Sequence, residues 1–202
     1  MKKYIIIISS ILILTVAGLF IWNYLSSFRD VIFSINEPGL SVDIYNKDET
    51  KIASLSDTKT TLTLRDGGYY YQVNSDKMDK NRQNFSVNKS VLEVIINPDY
   101  SSNYLADLLS SQKDEIIKII KDTYPSIINN YNITNGQLFS KGEWFGAIIE
   151  RKTPTGDISD PYKVIMNKQD GKWLIIHYPE IVATKYNFPE VPINILDKIN
   201  NL

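Results

Sequence analysis

The chain has 202 residues, a formal charge of −1, 43% apolar residues and 22% charged ones. That composition supplies a core for one or two domains and excludes wholesale disorder, and a charge this close to zero excludes the Lys/Arg surplus that a nucleic-acid partner requires. No cysteine and one histidine, His177, leave no disulfide, thiol nucleophile or His-rich metal site, so neither metal nor cofactor is expected.

The first element is the run Tyr4–Trp22, nineteen residues without a charge. As a helix it rises about 28 Å, close to the ~30 Å of a bilayer core. Lys2 and Lys3 precede it, with Tyr4 at one end and Trp22 and Tyr24 at the other, as in interfacial aromatic belts. The expectation is an uncleaved single-pass anchor over residues 1–30, touching lipid through residues 4–22. The N-terminus is then cytoplasmic and everything after Arg29 extracytoplasmic. A cleaved signal peptide is the rival reading, but Leu19–Trp22 prolong the apolar run beyond an ordinary signal core.

From residue 31 the period becomes two. Val31, Phe33 and Ile35 alternate with partners on the other face, and so do Leu40, Val42 and Ile44 after a Pro38-Gly39 turn. Thr60–Leu64 and Tyr69–Val73 read as strands joined by a tight hairpin at Asp66-Gly67-Gly68. Asn74–Asn81 reads as a long exposed loop. Phe85–Val87 and Val91–Ile96 complete a small all-β sandwich over 31–97. Sequons at Asn84, Asn88 and Asn132 are what chance gives in a chain with 18 asparagines.

The run Thr61-Leu62-Thr63-Leu64-Arg65-Asp66-Gly67-Gly68-Tyr69-Tyr70-Tyr71-Gln72-Val73, after the Pro38-Gly39-Leu40-Ser41-Val42 opening, resembles the core of PEGA domains. Those are small surface β-sandwich modules, and the resemblance implies a non-catalytic surface or adhesion role. The Gly-Tyr pair that usually follows the second strand is absent here; the charged stretch Asp76–Arg82 stands in its place.

From Ser101 the period turns helical, with Leu105, Leu108, Leu109, Ile116, Ile119 and Ile120 on one face. Ser111-Gln112-Lys113-Asp114 fits a capping box at which the helix starts or restarts. Tyr124-Pro125 ends or bends it. Three strands are expected next, at 138–152, 162–168 and 172–178. Thr153–Pro161 is an exposed loop, and Gln169-Asp170-Gly171 is a hairpin turn. Ile193–Asn200 reads as a short helix. The order of helix and meander, with Gln169-Asp170-Gly171-Lys172-Trp173-Leu174-Ile175, resembles the NTF2-like and cystatin-like α+β folds. The expected fold class is thus α+β: a transmembrane helix, a PEGA-like sandwich, and an NTF2-like or cystatin-like unit over 98–202.

Catalytic chemistry has little to draw on. His177 is the one candidate base, placed by strand parity on the face of Trp173 and Ile175, but no nucleophile elbow accompanies it. Glu143 and Glu150, seven apart, fall on opposite faces of one strand, and Asp157 and Asp160 lack calcium-loop spacing. Gly142-Glu143-Trp144-Phe145-Gly146 reads as aromatic packing on a strand that bends at its glycines. Residues 144–149 and 173–178 are apolar on both faces, so both faces need a cover: the helix on one, and the C-terminal segment, the β unit or a partner on the other. The sequence therefore suggests a non-enzymatic cell-surface binding or envelope-assembly protein. Trp144, Tyr162, His177 and Tyr178 are its candidate contacts to a protein or cell-envelope partner. The alternatives are a component of a secretion or conjugation machine, or a hydrolase using His177 or Glu143.

Overall fold

The computed structural model describes residues 2–88, 91–152 and 160–202. The chain divides into two compact units, residues 1–75 with 80–98 and residues 76–79 with 99–202. Among the described residues, eleven strands in three sheets dominate the fold.

The first unit opens with helix α1 (Lys2–Leu25). Its side chains from Leu12 onward stand in solvent, Leu14 and Trp22 among them. Among the described residues no helix is long and apolar enough to cross a membrane. The α+β fold class with an N-terminal transmembrane helix, and the single-pass topology built on it, are corrected accordingly: α1 stands as a helix and a span is not established.

Strands β1 (Phe28–Ile35), β2 (Val42–Asn46), β3 (Lys51–Leu55), β4 (Lys59–Arg65), β5 (Gly67–Val73), β6 (Gln83–Val87) and β7 (Val91–Ile96) follow. They form a three-stranded sheet ordered β4-β1-β7 and a four-stranded sheet ordered β3-β2-β5-β6. β1 runs antiparallel to β4 and parallel to β7. The alternation read from the sequence buries Val31, Phe33 and Ile35 from one sheet and Val42 and Ile44 from the other. Phe33 meets Phe85 edge-on across the two sheets, with centroids 5.6 Å apart.

One junction differs from the sequence reading. β4 and β5 do not pair: β4 lies beside β1, whereas β5 lies between β2 and β6. Asp66-Gly67 is a crossing from one sheet to the other, not a hairpin. Asp66 N–H is still bonded to Ser27 of the β1 side at 2.7 Å, and Gly67 already pairs with Val87 of β6. Neither Gly67 nor Gly68 has the positive φ that a two-residue hairpin demands.

The second unit begins with α2 (Ser102–Thr123), capped by Ser101 Oγ, which accepts from Tyr104 N–H. Ser111 lies inside this one continuous helix, where its hydroxyl donates back to Leu108 O at 2.7 Å. α3 (Pro125–Asn130) leads into an antiparallel meander of β8 (Tyr131–Phe139), β9 (Trp144–Arg151), β10 (Tyr162–Gln169) and β11 (Lys172–Ile175), closed by α4 (Ile193–Asn200). The single strand expected over 138–152 is in fact two. Ser140, Lys141 and Gly142 all take positive φ, and Gly142 and Glu143 N–H close a turn onto Phe139 and Ser140. A Cβ on Gly142 would lie 2.7 Å from Leu108 of α2, so glycine is needed there for space as well as for φ.

Both faces of this sheet are covered within the unit. Ile116 and Ile120 of α2 pack on Phe145, Ala147, Ile149, Val164, Met166 and Trp173. On the other face Phe139 and Ile165 pack with Phe188, Val191, Ile195, Leu196 and Ile199 from the C-terminal segment. Gly146 admits α4 to this face, since a Cβ there would stand 2.6 Å from Ile199 Cγ1.

Candidate functional site

Residues 176–191 form a strap with neither helix nor strand apart from one bridge. Irregular segments beyond about 12–15 residues are uncommon in compact domains and are often functional. This one is tied down along its length. Ile176 N–H bonds Ile165 O at 3.1 Å, continuing the line of β11. Lys163 and Glu180 exchange two backbone hydrogen bonds, at 2.6 and 3.1 Å. The Asn200 side chain clamps Ala183, accepting from its N–H at 2.9 Å and donating to its carbonyl at 2.8 Å. Lys185 Nζ donates to Val191 O at 2.9 Å. Phe188, wholly buried, anchors the strap in the second core.

Held this way, the strap turns Tyr178 (71% exposed), Ile181, Val182 and Tyr186 (93% exposed) outward. The Tyr178 ring lies against Tyr124, the residue that ends α2, at 5.5 Å between centroids. Tyr124 Oη donates to His177 O at 3.3 Å. Burial, and after it the neighbouring Tyr178, pushes the Tyr124 hydroxyl pKa up, which keeps that donor protonated.

His177 sits beyond the end of β11, exposed, and its ring packs on Phe188 with centroids 5.5 Å apart. Trp173 belongs to the α2-side core and Phe188 to the opposite one, so His177 does not share the face of Trp173. Strand parity fails because the strand stops at Ile175. His177 Nδ1 lies 3.3 Å from Tyr178 O, a backbone contact. Tyr162 rests edge-on against Tyr131 at one end of the β9–β10 pair, opposite Ile149. Trp144 is half-buried at the other end, opposite Asn167, about 17 Å along the strand. The structure therefore groups His177 and Tyr178 on the strap and leaves Trp144 apart from Tyr162. Ile181, Val182 and Tyr186 have no place in the sequence reading, although an apolar Ile-Val pair between two prolines that fits neither period was a usable signal.

Glu143 sits in the β8–β9 turn, not on the strand of Glu150, and its carbonyl accepts from Lys168 N–H and Asn167 Nδ2 at 2.8 and 3.0 Å. Asp157 and most of the Thr153–Pro161 loop lie outside the described residues. Among the described residues no group of three or more His, Asp or Glu could hold a metal ion. The other loop expected to be exposed, Asn74–Asn81, is partly built into the second unit: Met78 is buried and bridges Tyr100, and Lys77 lies over the Tyr104 ring. Beneath the strap, Lys163 is 7% exposed. Burial pushes its pKa down, and its Nζ donates to Asn200 O at 3.4 Å, at the carbonyl end of α4.

The first unit carries an aromatic ladder on the outer face of its larger sheet. Tyr45 stacks on Tyr70 at 5.0 Å with the planes 8° apart, and the Arg82 guanidinium lies over Tyr70 at 4.7 Å. Arg82 also pairs with Glu49 at 2.7 Å. With Tyr45 and Arg82 against its ring, Tyr70 is only 7% exposed, so the ladder is a cross-strand brace in itself.

No protein-family model matches the chain, and no curated protein does. Among solved structures it is similar to the Bacillus anthracis TIE protein, at 13% identity and a TM-score of 0.30, over 35% of this chain and 16% of that one. It is also similar to a DUF3823 family protein from Parabacteroides merdae, at 14% identity and a TM-score of 0.26, over 63% and 60% of the two chains. The chain thus spans less than two thirds of either structure.

Proposed function

We propose that the protein acts by binding and not by catalysis, and that the strap over residues 176–191 is its recognition surface. The observation that carries this reading is the pairing of a fixed backbone with exposed apolar side chains. Asn200, Lys163 and Phe188 hold the strap, while Tyr178, Ile181, Val182 and Tyr186 project from it. Large amphipathic rings on a rigid backbone give contact area at a small entropic cost, which is how binding surfaces rich in tyrosine work. The surroundings of His177, a backbone carbonyl and two aromatic rings, favour binding over hydrolysis.

The test is site-specific photo-crosslinking in cells that make the full chain. A benzophenone side chain is placed at Tyr178, at Tyr186, and at exposed Lys118 on α2 as a control. One common adduct from 178 and 186, absent from 118, is expected. Its identity decides whether the partner belongs to the cell envelope, as the resemblance to surface modules implies. No adduct at either strap position, or the same adduct at 118, overturns the assignment.

A further inference from the structure

We draw no further inference here: the strongest candidate, the apolar flank of α1 formed by Leu12, Ile13, Val16, Ala17 and Phe20, stands in solvent and nothing in the structure shows what covers it.

Discussion

The indole N–H of Trp173 donates to Gln112 Oε1 at 3.0 Å, and the Lys168 ammonium donates to the same oxygen at 2.9 Å. One side chain of α2 thereby fixes both strands of the β10–β11 hairpin, because Lys168 and Trp173 are cross-strand partners. Truncating buried Trp173 to Ala is expected to cost about 3–5 kcal/mol. Gln112→Ala leaves a buried indole N–H without its acceptor and is expected to cost about 1–3 kcal/mol. Urea unfolding of both variants and of the double variant checks this. In the double variant the Gln112 loss should shrink, since no indole remains to be stranded; simple additivity would mean that the bond contributes nothing.

Gly146 and Ile199 form a second pair whose fit is steric. Gly146→Ala places a methyl carbon 2.6 Å from Ile199 Cγ1, inside van der Waals contact, and is expected to destabilise by about 1–3 kcal/mol. Ile199→Ala alone leaves a cavity and costs about 2–5 kcal/mol. If the contact is as described, the double variant is more stable than the sum of the two losses, which a denaturant double-mutant cycle measures.

Two Asp-Gly dipeptides distinguish turn from crossing. Asp170 and Gly171 have φ of 50° and 79°, as a type I′ hairpin requires, whereas Gly67 has no positive φ and no atom nearer than 3.9 Å to an added Cβ. Gly171→Ala is therefore expected to lose about 1–2 kcal/mol to left-handed strain. Gly67→Ala is expected to be neutral or slightly stabilising through the unfolded chain. Equal melting shifts for the two would contradict the assignment.

Lys163 gives the fold a pH dependence of definite sign. Burial lowers its folded pKa from 10.5, so between that lowered value and 10.5 the unfolded chain binds more protons than the native one. Stability from this group therefore rises with pH across that window. Tyr124 opposes it, because its raised pKa makes stability fall above pH ~10 as the unfolded chain loses that proton first. The difference between wild type and Lys163→Met isolates the lysine. The variant should be the more stable at neutral pH, and its advantage should shrink as the pH rises toward 10.5. A constant difference would show that the ammonium is not desolvated.

Much of the first unit could be read from period alone, because Val31, Phe33, Ile35, Val42 and Ile44 each bury one face of a two-sided strand. The Asp66 junction could not, since a dipeptide specifies a turn only when its strands are partners, and partnership is decided by residues far along the chain. The β8 strand was hidden for another reason. Asn135 and Gly136 interrupt its alternation with a bulge, and the following turn uses Ser140 and Lys141 in left-handed conformations that their side chains do not advertise. The strap was the least legible part of the site. Its order comes from Asn200 and Lys163, which meet it only in three dimensions, and neither repeat period extends across it.

The parallel pairing of β1 with β7 also sets a timetable for synthesis. Asp30 faces Val91 and Ile35 faces Ile96, so the first strand of the unit lacks one neighbour until its last strand has left the ribosome. At about 5–20 residues per second that interval lasts on the order of several seconds. During it β1 can settle against β4 alone, with its other edge bare. Pairings this distant in sequence also close slowly. A pause or truncation anywhere before Ile96 leaves that edge open, and the newly made chain is then most exposed to aggregation through the strand it completed first.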